Sequence, residues 1–477
     1  LAVIVILAII IVIAVPQITK VIKNSEISTC KNNLKIILKS LNDKKSLNPD
    51  LDITSINISN ASEILQISDK DYKFIEFYTL NDKTNATVIY DDKCNGYVTY
   101  GSEENVSVEP IDDYFGTVDV TNENNTQYNS SPALVAEPDG CIPVTNATEF
   151  NNIRNNLSAS YCLKNDIDLS SISNWVPIGS DSSRFVGQIV GNNHYIFGLN
   201  ASATGSSISL FGFAENAKFY NIKFKNMNMS SDNSSSILVY TLYGTTSEIK
   251  NIHVESSDKI SAGECDTAYP SGCYASALVS VVYGSLTIDN TYSDMSYTSG
   301  YNIGGFIGTI PFYFPQPTLT ISNSKSIIKT NKNTFTNVGG FAYETSLCTI
   351  NIQNSSVESN IKITGSNPSS YLRVGGFIGY LQNATLNIDD SWTVNNMNVE
   401  NGYAAGMIAE EFFSTTNITD SYVKNSDIST PCTKAGISCK ASATVGEASG
   451  GSSNPFTMNN SYVRNTRASG NYASSVA

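Results

Sequence analysis

Two histidines, nine cysteines and the two adjacent acidic pairs of its repetitive part are the residues of this 477-residue chain whose types could do chemistry. Their spacing assigns most of them to structure. His253 stands two places after Asn251. It shares a column with Tyr292, Trp392, Tyr422 and Tyr462, so it reads as a repeat position that happens to be histidine. His194 falls in the string GNNH and reads as structural. Polysaccharide lyases and hydrolases would need paired carboxylates about 5–9 Å apart in one groove. Asp389–Asp390 and Glu410–Glu411 do not meet that need as pairs, because neighbours on a strand point to opposite faces, and Asp390 is also expected to serve as a turn residue. Asp112 and Asp113 belong to a solvated acidic run. No catalytic residue, cofactor or metal site is expected, and two histidines without a CxxC pair make zinc a poor fit.

The cysteines pair as neighbours: Cys30 with Cys94, Cys141 with Cys162, Cys265 with Cys273, and Cys432 with Cys439. Cys348 is left over. Structural disulfides of an oxidising compartment are the expected use. Composition points the same way. Only 41% of residues are hydrophobic and 15% charged, below the usual globular share, and Asn, Ser and Thr fill the difference. The net charge of −14, with no basic run, is read as solubility and as evidence against a nucleic-acid partner. The Asn-x-Ser/Thr sequons are ascribed to composition.

The elements that position these residues come from self-similarity. An Asn or Asp, preceded two places earlier by an apolar residue, recurs at Asn221, Asn251, Asn290, Asn323, Asn354, Asp390, Asp420 and Asn460. The apolar partners form a column: Phe219, Ile249, Ile288, Ile321, Ile352, Ile388, Ile418 and Met458. Leu286, Leu319, Ile350, Leu386 and Phe456 form a second, weaker column, giving period-two alternation repeated in register. A further signature recurs between the turns: IGGFIG from Ile303, VGGFAY from Val338, VGGFIG from Val374 and AAGMIA from Ala404. Each is read as one strand, with paired glycines marking a close backbone approach or a sharp bend. Such repeats bury an inner face only by stacking. Asn suits the turns because it tolerates left-handed backbone. The fold class is therefore mainly β: a right-handed parallel β-helix over residues 141–477, with its variable lengths in loops.

Before the repeat, Leu1 to Val15 is an uncharged apolar run ended by Pro16, and the helical pattern continues through Ile18, Val21, Leu34, Ile37, Leu38 and Leu41. Leu1, Ile6, Ile10, Val15 and Pro16 are placed on a membrane or filament helix. Residues 1–48 are expected to form this hydrophobic and amphipathic helix. Three strand-like runs follow within 49–105: YKFIEFY, ATVIYDD and GYVTYGS. The last two flank the turn-like string DDKCNG, a hairpin signal, and residues 106–140 read as a linker.

The string LAVIVILAIIIVIAVP resembles the start of type IV pilins and type II secretion pseudopilins. In those families a Gly–Phe cleavage site, a methylated Phe and a Glu precede this string. All three would lie before Leu1, so the natural start is expected to be missing. The resemblance implies prepilin processing with N-terminal methylation, a small α+β pilin-like head on the long helix, and partnership with the membrane, with copies of itself or with other pilins. The stretch Thr148 to Leu199 carries EFNNIR, NDIDL, WVPIG and FVGQIVGNNHYIFGL. It resembles the opening coil of bacterial surface β-helices with the GLUG motif, and the Gly-Gly-Phe-Ile-Gly strings resemble that motif's core. This implies a secreted cell-surface protein, an adhesin that binds glycan or protein without catalysis. The aromatics Tyr301, Phe312, Tyr313, Phe314, Tyr371 and Tyr403 are candidate ligand-loop residues. The alternatives are a β-helix carbohydrate-active enzyme and a purely structural minor pilin. The carboxyl terminus, lacking a polar capping element, is expected to be cut short as well.

Overall fold

The computed structural model describes residues 2–49, 51–53, 56, 60–67, 72–80, 83–90, 94, 97–110, 128–263, 273–311, 315–334, 336–364, 372–433, 439–449, 454–470 and 472–474. Side chains of residues 1–23 are outside that description, and with them Leu1, Ile6, Ile10, Val15 and Pro16. Phe312, Tyr313, Phe314, Tyr371 and Cys265 also lie outside it. Among the described residues, no helix is long and apolar enough to cross a membrane. The chain is mainly β and divides into two compact units, Leu1–Glu123 and Asn124–Ala477.

In the first unit, the described part of the helix Ala2–Leu47 buries Leu34, Ile37, Leu38 and Leu41. These are four positions on one helical face. They share a core with Ile75, Phe77, Val88 and Tyr90 of an antiparallel sheet. Its strands are Tyr72–Leu80, Lys83–Tyr90, Tyr97–Ser102 and Val106–Pro110, paired in chain order. The expected hairpin is there, pairing Val88 with Thr99. The Cys30–Cys94 disulfide ties helix to sheet, with Cα atoms 6.1 Å apart. Val106–Pro110 belongs to this sheet, so the linker expected over 106–140 does not include these five residues.

The second unit is built from three long parallel sheets of 17, 15 and 8 strands, here called first, second and third. Strands pair in parallel with their counterparts in neighbouring repeats, which places equivalent residues about 4.8 Å apart. The apolar column read from the sequence is a register line of the first sheet: Phe219 pairs with Ile249, Ile249 with Ile288, and so on to Met458. These side chains are buried in one continuous core, with Met458 packed against its end.

Two kinds of corner join the sheets. At the first, all eight expected Asn and Asp turn residues adopt positive φ, between 44° and 56°. Their amides also hydrogen-bond along the stack. Asn251 Nδ2 donates to Asn221 Oδ1 at 2.9 Å, Asn290 to Asn251 at 3.0 Å, and Asn354 to Asn323 at 2.7 Å. At the second corner the Gly-Gly-Phe signature sits between two strands. It is not one strand, as the sequence suggested. Asn337–Gly339 belongs to the third sheet and Ala342–Ser346 to the first. A Cβ at Gly339 would overlap the Ala342 carbonyl within the same turn, and one at Gly340 would overlap the Gly376 carbonyl of the next repeat. The first glycine thus permits the bend and the second permits the stacking. Phe306, Phe341 and Phe377 then stack inside, with centroids 5.1 and 5.5 Å apart.

Residues 128–140, expected to be linker, are pinned along the asparagine corner. Asn129 exchanges two hydrogen bonds with the Asn290 side chain, at 2.8 and 3.1 Å. The Ala133 carbonyl accepts from Asn251, and Val135 exchanges two bonds with Asn221. Glu137 then meets Asn192 and Lys164. The Cys141–Cys162 disulfide closes the segment onto the first repeats. Asn-rich sequence reads as linker because a strap of this kind uses its backbone, and its partners are distant in sequence.

Candidate functional site

At the glycine corner two outward rows of side chains face each other across the bend. The strand ahead of the corner turns one row outward in register: Tyr274, Asn302, Asn337, Arg373, Tyr403 and Lys440. The strand after it turns out a facing row containing Val281, Thr309, Glu344, Tyr380, Glu410 and Glu447. Small residues between the rows make room for rings. A Cβ at Gly308 would run into Tyr274, and one at Gly379 into Tyr343. Tyr274, Val281 and Tyr343 form a buried apolar patch, against which Tyr240, Tyr283 and Tyr380 pack.

Tyr240 connects this row to a cavity of about 650 Å³ beside the first repeats, lined by Arg154, Val176, Pro177, Phe213, Asn233 and several serines. Phe213 meets Tyr240 edge to face at 5.6 Å. Val176 is 63% exposed, held there because its neighbour Trp175 is buried and donates to the Ser209 carbonyl at 2.9 Å. Arg154 supports the rim by donating to the Val176 carbonyl at 2.9 Å. A partly apolar hollow with a few convergent polar groups is the usual form of a ligand site.

Charge in the groove is largely matched. Arg373 pairs with Glu410 and lies 4.5 Å over the Tyr380 ring. Burial opposes its charge, yet Tyr343 and Glu410 hold the guanidinium above its ordinary range. Lys440 pairs with Glu447 and approaches the Tyr403 ring. Glu344 accepts from the Tyr274 hydroxyl at 3.3 Å, and burial pushes its carboxyl upward. Among the described residues, no cluster of His, Cys, Asp or Glu could hold a metal ion.

The sequence-derived candidates fare unevenly. Tyr403 is buried on a strand of the groove, not on a loop. Tyr301 stands just before the strand Asn302–Gly304. His253 lies at the repeat position assigned to it, in register with Tyr292 and stacked on it at 4.8 Å. Burial lowers its pKa, and the Tyr128 hydroxyl bonds its Nδ1 at 3.1 Å. His194 pairs with Asp166 at 3.0 Å. Asp390 is a turn residue, with φ 44°. The Glu410–Glu411 pair splits as strand geometry requires: Glu410 faces the groove, while Glu411 is 4% exposed and accepts from Thr416 at 3.1 Å. The Cys432–Cys439 disulfide forms, and Cys348 is free and buried. Cys265, the expected partner of Cys273, falls outside the described residues. The groove residues Glu344, Arg373, Tyr380 and Tyr240 went unnoticed. Their signal was the outward position on either side of each Gly-Gly-Phe string.

Compared with known proteins, the chain matches no family model and no curated protein.

Proposed function

We propose that the second unit is a right-handed parallel β-helix that binds an extended glycan or peptide along its glycine-corner groove, without catalysis. In this reading the helix Ala2–Leu47 is a type IV pilin-like stem, joined to other pilins or resting in the membrane. The repeats, GLUG-like in their Gly-Gly-Phe strings, form a displayed adhesin on the cell surface. The observation that carries the binding claim is the groove itself. Tyr240 and Tyr380 pack against the buried Tyr274 and Tyr343, and Tyr240 also lines the 650 Å³ cavity. Amphipathic rings of this kind give contact area at low entropic cost. The pairing of Arg373 with Glu410 and of Lys440 with Glu447 suits recognition of neutral polar groups. The test is an array of glycans and peptides probed with the full chain. Wild type is expected to bind a discrete set of ligands that Tyr380→Ala and Tyr240→Ala both lose. An array blank for wild type would leave the purely structural pilin as the better account.

One observation favours a second reading, a carbohydrate-active enzyme. Glu344, Glu410 and Glu447 share a row on three different repeats, with Arg373 beside them. A buried carboxyl with a raised pKa is the form a general acid takes. Under this alternative Glu344 is the acid, and Glu344→Gln abolishes product release while leaving binding intact.

A further inference from the structure

The outward face of the second sheet differs in charge from the rest of a chain whose net charge is −14. One outer row of the first sheet is neutral, Thr320, Asn351, Asn387, Asn417 and Thr457 in register, and another carries the carboxylates Glu344, Glu410 and Glu447. On the second sheet cations stand in several repeats. Lys223 and Lys225 flank Phe224, Lys259 follows in the next repeat, and Lys329 and Lys362 come further along. Arg467 stands on the same face in the last repeat, whereas Lys424 and Arg464 are buried. Three carboxylates of this face are engaged: Asp294 with Lys329 at 2.8 Å, Glu358 with Lys325, and Glu255 with the Tyr195 hydroxyl at 2.7 Å, and Asp427 lies in register with Arg467. Lys223, Lys225, Lys259 and Lys362 have no ion pair among the described residues. Lys225 instead places its ammonium 3.9 Å over the Tyr195 ring, a cation–π contact.

We infer that this face binds a linear acidic polysaccharide, with Lys223, Lys225 and Lys259 as its principal contacts. Charge complementarity selects a polyanion. Neighbouring repeats are about 4.8 Å apart, a spacing close to that of successive acidic sugars in an extended chain. The aromatic column on the same face argues against bases. Tyr422 stacks on Tyr462 at 5.1 Å and on Trp392 at 6.3 Å, so these rings spend their faces on each other. Single-stranded nucleic acid binding relies on open ring faces.

The experiment is biolayer interferometry of the full chain on immobilised polygalacturonate, with dextran and single-stranded DNA as competitors, between 50 and 300 mM salt. The account expects polygalacturonate binding that weakens as salt rises. It expects a loss of at least about tenfold in the triple variant Lys223→Gln, Lys225→Gln, Lys259→Gln, with an unchanged unfolding midpoint. Tyr380→Ala, which disables the proposed groove, should bind polygalacturonate like wild type, so the two proposals fail separately. Equal binding by the triple variant overturns the inference. So does competition by dextran, or competition by DNA at equal or greater strength.

Discussion

The asparagine and glycine corners solve the same problem, reversing the chain at a spacing fixed by parallel pairing, and they solve it in opposite ways. The asparagine corner uses one residue in left-handed conformation, whose amide then bonds to the amide above it. It leaves polar groups to spare, and the strap around Asn129, Ala133 and Val135 takes them up. The glycine corner uses two residues with no side chain and jams backbone against backbone. That close approach draws two sheets together and opens a groove on the outside. The asparagine corner is thus internally satisfied, while the glycine corner creates a surface that has room for something else.

Substitutions can break this comparison. The largest effect is expected at the glycine corner. Gly340→Ala puts a methyl into the Gly376 carbonyl, and no side chain can move aside. The loss should be about 3 kcal/mol or more, read as a drop in the urea midpoint. A variant as stable as wild type would show that the corner is looser than described.

Next in size is Glu411, which follows the glycine corner on an inner row between Leu381 and Ala448. Burial raises its pKa from 4.5 to about 7. The unfolded chain therefore releases this proton at lower pH than the folded chain does. Its contribution to stability falls as pH rises from about 4.5 to 7, by about 3 kcal/mol in all. Glu411→Leu should stabilise the protein by up to that amount at pH 8 and by nothing at pH 4. Equal effects at both pH values would contradict the assignment. Asp258 is buried, accepts from the Met227 and Glu255 amides, and is likewise raised to about 7. It adds a cost with the same sign over the same window.

The asparagine corner should yield more gently. Asn354→Ala loses a residue tolerant of positive φ and should cost about 1–2 kcal/mol. Asn251→Ala should cost about 1 kcal/mol more, because the Ala133 carbonyl and Asn221 Oδ1 each lose a donor. Hydrogen exchange over residues 128–137 sharpens the contrast: it should quicken in Asn251→Ala and stay unchanged in Asn354→Ala. Equal quickening in both would mean that the strap is not held by the ladder.

Much of the repeat was legible because it depends on local requirements repeated in register. An Asn that must be left-handed and an isoleucine that must be buried announce themselves every thirty to forty residues, and Asn221 through Asn460 were found that way. The Gly-Gly-Phe strings were visible too, but taken as strands, because apolar flanks on both sides hide a corner in a one-dimensional pattern. The groove was not legible. Tyr274 and Glu344 are seventy residues apart and meet only through stacking. The same holds for Asn129 and Asn290, so the strap read as linker. Splitting Glu410 from Glu411 required only strand alternation, yet it could not say that Arg373 would meet Glu410.

The central claim is that the glycine-corner groove holds an extended ligand and does nothing to it. It is tested most directly by incubating wild type and Glu344→Gln with immobilised polysaccharides, measuring protein retained and reducing ends released in the same wells. The account predicts retention by both proteins and no reducing ends from either. Release by wild type that Glu344→Gln abolishes would contradict it and make the groove an active site.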